Sequence, residues 1–299
     1  MKMSNSSGVI RILVVSMDII VLFSAAAATA ATAAATAPAA RQLEPYRETI
    51  AGTVVGFDMM PVPGGTVTIA DPEAPGGERV IEVSPLWMGK TEVTWDEFDV
   101  WLLGLDTEPE RRAGIDAESR PSRPYGAPDR GFGHAGFAAI SVTFHAAESY
   151  AEWLSTKTGK HYRLPTWAEW QLACLANLET DGGTRPAGDL GTPKPTELDA
   201  QAWHGGNASR TMHAVATKAP GVLGIFDMLG NAGEWASNPD GNPALHGSTY
   251  RDDPGDVSCA ARATQDRSWN ERDPQIPQSS WWLSDGPFAG FRLVRDGGH

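Results

Sequence analysis

The chain has 299 residues, 41% of them hydrophobic and 20% charged, which suits a folded globular protein and excludes a disordered or fibrous one. Its 37 acidic residues against 24 basic ones give a formal net charge of −13, which repels phosphate backbones and argues against nucleic acid as a partner. Only two cysteines occur, Cys174 and Cys259, so a multi-thiolate zinc site is excluded, while 32 Gly, 22 Pro and 11 Trp point to a loop-rich fold with aromatic anchors.

In chain order, Lys2 and Arg11 precede the apolar stretch Ile12 to Ala28, and Ala and Thr follow to Ala40. A basic start, a short apolar region and small residues read as a secretory signal, so export to the periplasm or beyond is expected, with residues 41–52 as a linker. A retained membrane anchor is the alternative. Against it, Asp18 would cost about 3 kcal/mol at a bilayer centre, and Ile19 to Ala28 is too short to span one, so no stable membrane span is expected. In an oxidising compartment two cysteines favour a disulfide over free thiols; otherwise each is a small buried hydrophobe.

From Gly52 to Ser84, Thr53–Phe57, Thr66–Ile69 and Arg79–Val83 alternate with Gly and Pro and predict short antiparallel strands. Thr94 and Glu97 form a capping box ahead of Phe98, Trp101 and Leu102 at helical spacing. Residues 104–137 lack periodicity and predict a long surface loop. A second helix starts near Thr143, with Phe144, Ala147, Ala151 and Leu154 on one face and Gly159 as its stop. Thr166 and Glu169 form another capping box, opening a helix with Trp170, Ala173 and Cys174. Asn177 to Pro220 reads mostly as loop. Modest helices among many short strands imply one α+β domain, from about 53 to 296.

There is no G-x-S-x-G elbow, no P-loop, no dinucleotide-binding glycine motif and no H-E-x-x-H. The seven histidines lack metal-ligand spacing; His246, between Leu245 and Gly247-Ser248, has small neighbours that leave it room to reach a ligand. The densest segment is Gly224 to Trp235, where Asp227 and Glu234 flank two glycines and Asn231. Carboxylates and turn carbonyls of this kind can serve calcium, although the spacing is not that of an EF-hand. The alternative is a turn in which Asp227 and Asn231 cap backbone groups.

Met60-Pro-Val-Pro-Gly-Gly-Thr66, Lys90-Thr-Glu-Val-Thr94, Arg163-Leu-Pro-Thr-Trp-Ala-Glu-Trp170, Gly224 to Trp235 and Gly290-Phe-Arg292 together resemble the sulfatase-modifying-factor family, that of the formylglycine-generating enzymes. The resemblance covers residues 53 to 296 and implies a C-type-lectin-like α+β domain with low secondary-structure content and long loops. Family enzymes oxidise a cysteine of a Cys-x-Pro-x-Arg motif using oxygen and copper held by two cysteines. Here Arg251 stands at the first of those positions, and Asp252 to Ser258 contains no cysteine. Copper(I) wants thiolates, so copper is not expected. Gly233 replaces the usual Trp between Asn and Glu, whereas Ser248 matches an active-site serine.

The same resemblance implies a structural Cys174–Cys259 disulfide and one calcium ion on Asp227, Gly230, Ala232 and Glu234. A second calcium is not expected, because Trp203 to Lys218 has no acidic residue. Two functions follow as expectations. One is a pseudoenzyme or binding module presenting a groove to a peptide, protein or glycan; Trp269, Trp281 and Trp282 are candidate lining, with buried anchoring the favoured role for at least two of them. The other is an oxidoreductase of different chemistry on the same scaffold, with Ser248 and His246 as candidate catalytic residues. The family's iron-dependent ergothioneine branch takes histidines from a separate helical domain, which this chain does not resemble.

Overall fold

The structure, a computed structural model, describes residues 43–70, 77–107, 120–122, 124, 126–178, 191–238 and 241–297. The expected signal segment lies outside them. Among the described residues no helix is long and apolar enough to cross a membrane.

The first paired element is β1 (Tyr46–Thr49), antiparallel to β2 (Gly56–Val62). Residues expected as a linker therefore begin the sheet. The strand expected over Thr53–Phe57 is mostly the connecting turn. Gly52 sits at φ +86°, the Thr53 hydroxyl donates to Ile50 O at 2.8 Å, and Val54 is fully exposed. A β-branched pair looked like strand because local propensity cannot see that one side chain has nothing to pack against. The other two predicted strands are present, within β3 (Gly65–Ala70) and β4 (Glu78–Val83), which form their own hairpin.

β5 (Leu86–Gly89) pairs with β2, and the chain's last strand closes on β5, giving a five-stranded sheet that joins the two ends of the domain. Helix α1 (Trp95–Leu102) starts at the predicted capping box: Glu97 Oε1 accepts the Thr94 N–H at 3.1 Å and the Thr94 hydroxyl at 2.8 Å. Helix α2 (Phe144–Thr158) is capped by Thr143, whose hydroxyl accepts the Ala146 N–H at 3.1 Å, and is stopped by Gly159 at φ +68°. β6 (Tyr162–Arg163) follows, then α3 (Trp167–Asn177), opened by Thr166 and Glu169 as expected.

One helix had no periodicity to announce it: α4 (Pro195–Gln201) carries a single buried residue, Leu198, and is started by Pro195. Next come β7 (Gly233–Ser237), β8 (Pro243–His246) and β9 (Arg262–Thr264), the short 3-10 turn Arg267–Asn270, then β10 (Ala289–Gly290) and β11 (Val294–Asp296). The second sheet runs β10-β7-β8-β9. One core gathers Trp95, Phe98, Trp101, Tyr150 and Phe291; the other gathers Met88, Trp170, Cys174 and Leu229. The result is the expected α+β arrangement with short elements and long loops.

Glu97 is only 5% exposed, and burial pushes its carboxyl up to about 7 from 4.5. A raised folded pKa means that the folded state holds the proton more tightly, so this contribution is complete below pH 4.5 and is lost as pH rises through 7. Glu97→Gln keeps an acceptor for the cap and cannot titrate. We expect its urea-unfolding free energy to fall less steeply over that interval than the parent's, by roughly 3 kcal/mol in total. Equal slopes for the two proteins would show that another group carries the dependence.

Candidate functional site

The segment Gly224 to Trp235 folds as a chain of left-handed turns, with Asp227, Gly230 and Asn231 at φ +54°, +74° and +49°. At Gly230 any Cβ would lie 2.1 Å from Trp203 O, so glycine is obligatory there. The capping alternative is realised: Asp227 Oδ2 accepts the Ala216 N–H at 2.7 Å, and Asn231 Oδ1 accepts that of His213 at 3.1 Å. Asn231 also donates through Nδ2 to Glu92 Oε1 at 3.0 Å.

Glu234 begins this segment's exit into β7 and is held from two sides. Arg292 donates Nη2 to Oε1 at 2.6 Å and Nε to Oε2 at 2.9 Å, while the Trp170 indole donates to Oε2 at 2.7 Å. Arg292 is wholly buried and also serves Gly89 O and Phe226 O, each at 2.8 Å. Burial disfavours its charge, yet Glu234, Glu92 and Asp227 hold it above the ordinary guanidinium value. Three buried carboxylates thus face one guanidinium. Burial raises Glu92 well above the carboxylate range, helped by the Asp227 charge, and raises Asp227 to about 6.

Asp227 Oδ1 is buried with no hydrogen-bond partner, as is Glu92 Oε2. The Glu234 carboxylate accepts hydrogen bonds from Arg292 and Trp170. Among the described residues no three His, Cys, Asp or Glu side chains converge as a metal cluster.

The cysteines are joined, Cys174 to Cys259, as the resemblance implied, with Cα atoms 5.7 Å apart. Since these are the chain's only cysteines, no thiolate is left for copper, and the residues at the expected copper position do not fit that ion.

That position instead borders a cavity of about 550 Å³, within the range of small-ligand pockets. Its floor is Gly233 and Leu245, its aromatic wall Trp269 and Phe288, and its rim carries Ser248 and Arg251. Trp269 and Phe288 meet edge to face, centroids 5.0 Å apart. Ser248 is held at φ +64°, a strained conformation for a serine, and its hydroxyl reaches Asp256 O at 3.3 Å. Of the three candidate tryptophans, Trp269 borders this cavity, and the other two are buried anchors. Trp281 packs on Trp101, and Trp282 stacks on Trp95 and borders a second cavity of about 400 Å³.

His246 also lines the cavity. Strand register sets it opposite Glu234 and Arg262, on the sheet face turned to α3. There it packs at 5.5 Å from the Trp170 ring and 6.2 Å from Trp167, 1% exposed. Neither ring nitrogen has a hydrogen-bond partner, and burial, with the Arg262 charge, lowers its pKa to about 3. It is therefore a neutral, enclosed imidazole at any physiological pH. Glu92, Arg292 and Phe288 escaped sequence reasoning. The first two lie inside quoted motifs, but their partners are far away in sequence.

Three comparisons bear on this arrangement. The chain is 30% identical over 213 residues to hercynine oxygenase of Mycolicibacterium smegmatis, an alignment covering 64% of this chain and 47% of that protein. It therefore spans under half the length of that relative. The Treponema denticola variable protein 1 superposes with a TM-score of 0.58 at 19% identity, covering 84% of this chain and 99% of that one. PvdO from Pseudomonas aeruginosa gives 0.54 at 20%, covering 83% and 100%. At those identities the likeness is one of fold. Residues 51–297 match the sulfatase-modifying factor enzyme 1-like domain, and the chain belongs to that family.

Proposed function

We propose that this chain is an exported binding module of the sulfatase-modifying factor family, a pseudoenzyme with respect to copper-dependent formylglycine formation. The carrying observation is the cysteine inventory: both thiols are spent in one disulfide, and Arg251 occupies the rim where a thiolate would be needed. What stays in place is a formed cavity with an aromatic wall and polar rim, suited to holding a peptide, protein or glycan ligand. The signal-like residues 1–40 support export, and the disulfide agrees with an oxidising compartment. A calcium ion is part of the proposal, on the Asp227 and Glu234 carboxylates and the carbonyls of Gly230 and Ala232. It would offset the surplus buried negative charge and stiffen the loop, with no part in chemistry.

The second reading is an oxidoreductase of different chemistry, favoured by similarity to hercynine oxygenases. One experiment separates the two. The purified protein, supplied with copper and oxygen and then separately with iron, is incubated with a Cys-x-Pro-x-Arg peptide, and its metal content is measured after dialysis. We expect no peptide aldehyde and near-stoichiometric calcium without copper or iron. Aldehyde formation, or tightly retained copper or iron, would overturn the binding-module reading.

A further inference from the structure

The chain is strongly acidic, yet its main cavity carries guanidinium groups that no carboxylate claims. Arg251 is exposed on the rim, its guanidinium 5.1 Å from the Phe288 ring centroid and 5.9 Å from that of Tyr250. Among the described residues its side chain has no hydrogen bond or ion pair. Arg262, also exposed and bordering the cavity, lies 4.7 Å from the Trp167 ring and has no carboxylate partner there either.

Two acids share the lining. Asp252 is largely occupied by its own turn: its Oδ2 accepts the Thr249 N–H at 2.6 Å and the Thr249 hydroxyl at 2.9 Å. Asp256 is exposed, and its main-chain oxygen takes the Ser248 hydroxyl. Neither pairs with an arginine. A guanidinium stacked on an aromatic ring is held in place while its in-plane N–H fork stays unspent, the arrangement that receives a carboxylate in bidentate fashion. Behind it, Gly233 contributes no side chain, so Leu245, Trp269 and Phe288 form a flat apolar recess.

We propose that this cavity selects ligands bearing a carboxylate on a flat apolar body, the carboxylate on Arg251 and the body against Trp269 and Phe288. The inference rests on reading this cavity as the binding site and adds the chemistry of its occupant. The carboxylate can belong to a free aromatic acid or to the C-terminus of a peptide ending in an aromatic residue.

The test measures binding of four probes by NMR chemical-shift perturbation: benzoate, N-acetylphenylalanine, N-acetylphenylalanine amide and benzylamine. Both acids should bind, and the amide and the amine should bind at least about tenfold more weakly. Arg251→Met should weaken the acids by a similar factor without changing the melting temperature, and Arg251→Lys should restore part of the loss. Tighter binding of N-acetylphenylalanine than of benzoate points to a peptide terminus, the reverse to a free acid, and both uphold the proposal. Equal binding of acid and amide, acid binding unaltered by Arg251→Met, or no acid binding at millimolar concentration would each overturn it. Failure of the parent reading looks different, since aldehyde formation would establish an enzyme whatever the probes do.

Discussion

Replacing Arg292 by methionine should lower the stability of the domain by about 3–5 kcal/mol, the range for removing one partner of a buried ion pair. For a domain of this size that corresponds to a fall in Tm of roughly 10 °C. Methionine roughly fills the volume, so the loss is electrostatic and not a cavity effect. Gly89 O and Phe226 O lose their donor, Glu234 loses its counter-ion, and Glu92 and Asp227 lose the charge that offsets their burial. Glu92 and Asp227 then hold protons more tightly in the folded state. The deficit against the parent should therefore grow as pH rises through about 6, where the parent ionises Asp227 against the guanidinium. Urea unfolding at several pH values measures both. The double variant Arg292→Met with Glu234→Gln should recover part of the loss, since the glutamine amide leaves no orphaned charge. A loss below about 1 kcal/mol, or one that does not vary with pH, would refute the view that this pair governs the interior charge.

The contrast between Glu97 and Glu234 shows what was legible in the sequence. Glu97 is read from its cap because its partner Thr94 lies three residues away, and the same holds for Thr166 with Glu169. Such contacts are fixed by helix geometry, so spacing alone reveals them. The spacing of Glu234 to Asp227 was visible in the sequence, whereas its hydrogen-bond donor Arg292 lies 58 residues further on. The cavity is still less local, since its floor, rim and wall come from Gly233, Arg251, Trp269 and Phe288, which only the second sheet brings together. His246 shows the limit of composition. Small neighbours suggested room, but the period of a strand decides the face, and its register with Glu234 sends the ring toward α3. Resemblance could supply the disulfide and the architecture, because those belong to the scaffold. It could not supply the partners of Arg251, where this chain departs from the family pattern.

Changing both Cys174 and Cys259 to alanine should cost about 4 kcal/mol, since the bridge closes a loop across 85 residues of separation and so restricts the unfolded chain strongly. Alanine avoids a buried hydroxyl, which matters because both positions are fully buried. The second consequence is specific to the cavity. Cys259 stands between Asp256 and Arg262, the stretch that forms one side of the cavity, and Cys174 stands on α3. The bridge thus ties a wall made of turns to a helix. Cys259 also donates its N–H to Gly191 O at 3.2 Å. In the alanine variant the wall should loosen well below the global transition, so acid probes should bind more weakly at temperatures where the domain is still folded. Hydrogen exchange across residues 256–262 should rise in step. Urea unfolding gives the global figure, and the probe titration gives the local one. A variant that loses stability yet binds the acids unchanged would show that the sheet positions the wall and the bridge acts on the unfolded chain alone. Unchanged stability would contradict the loop-closure account itself.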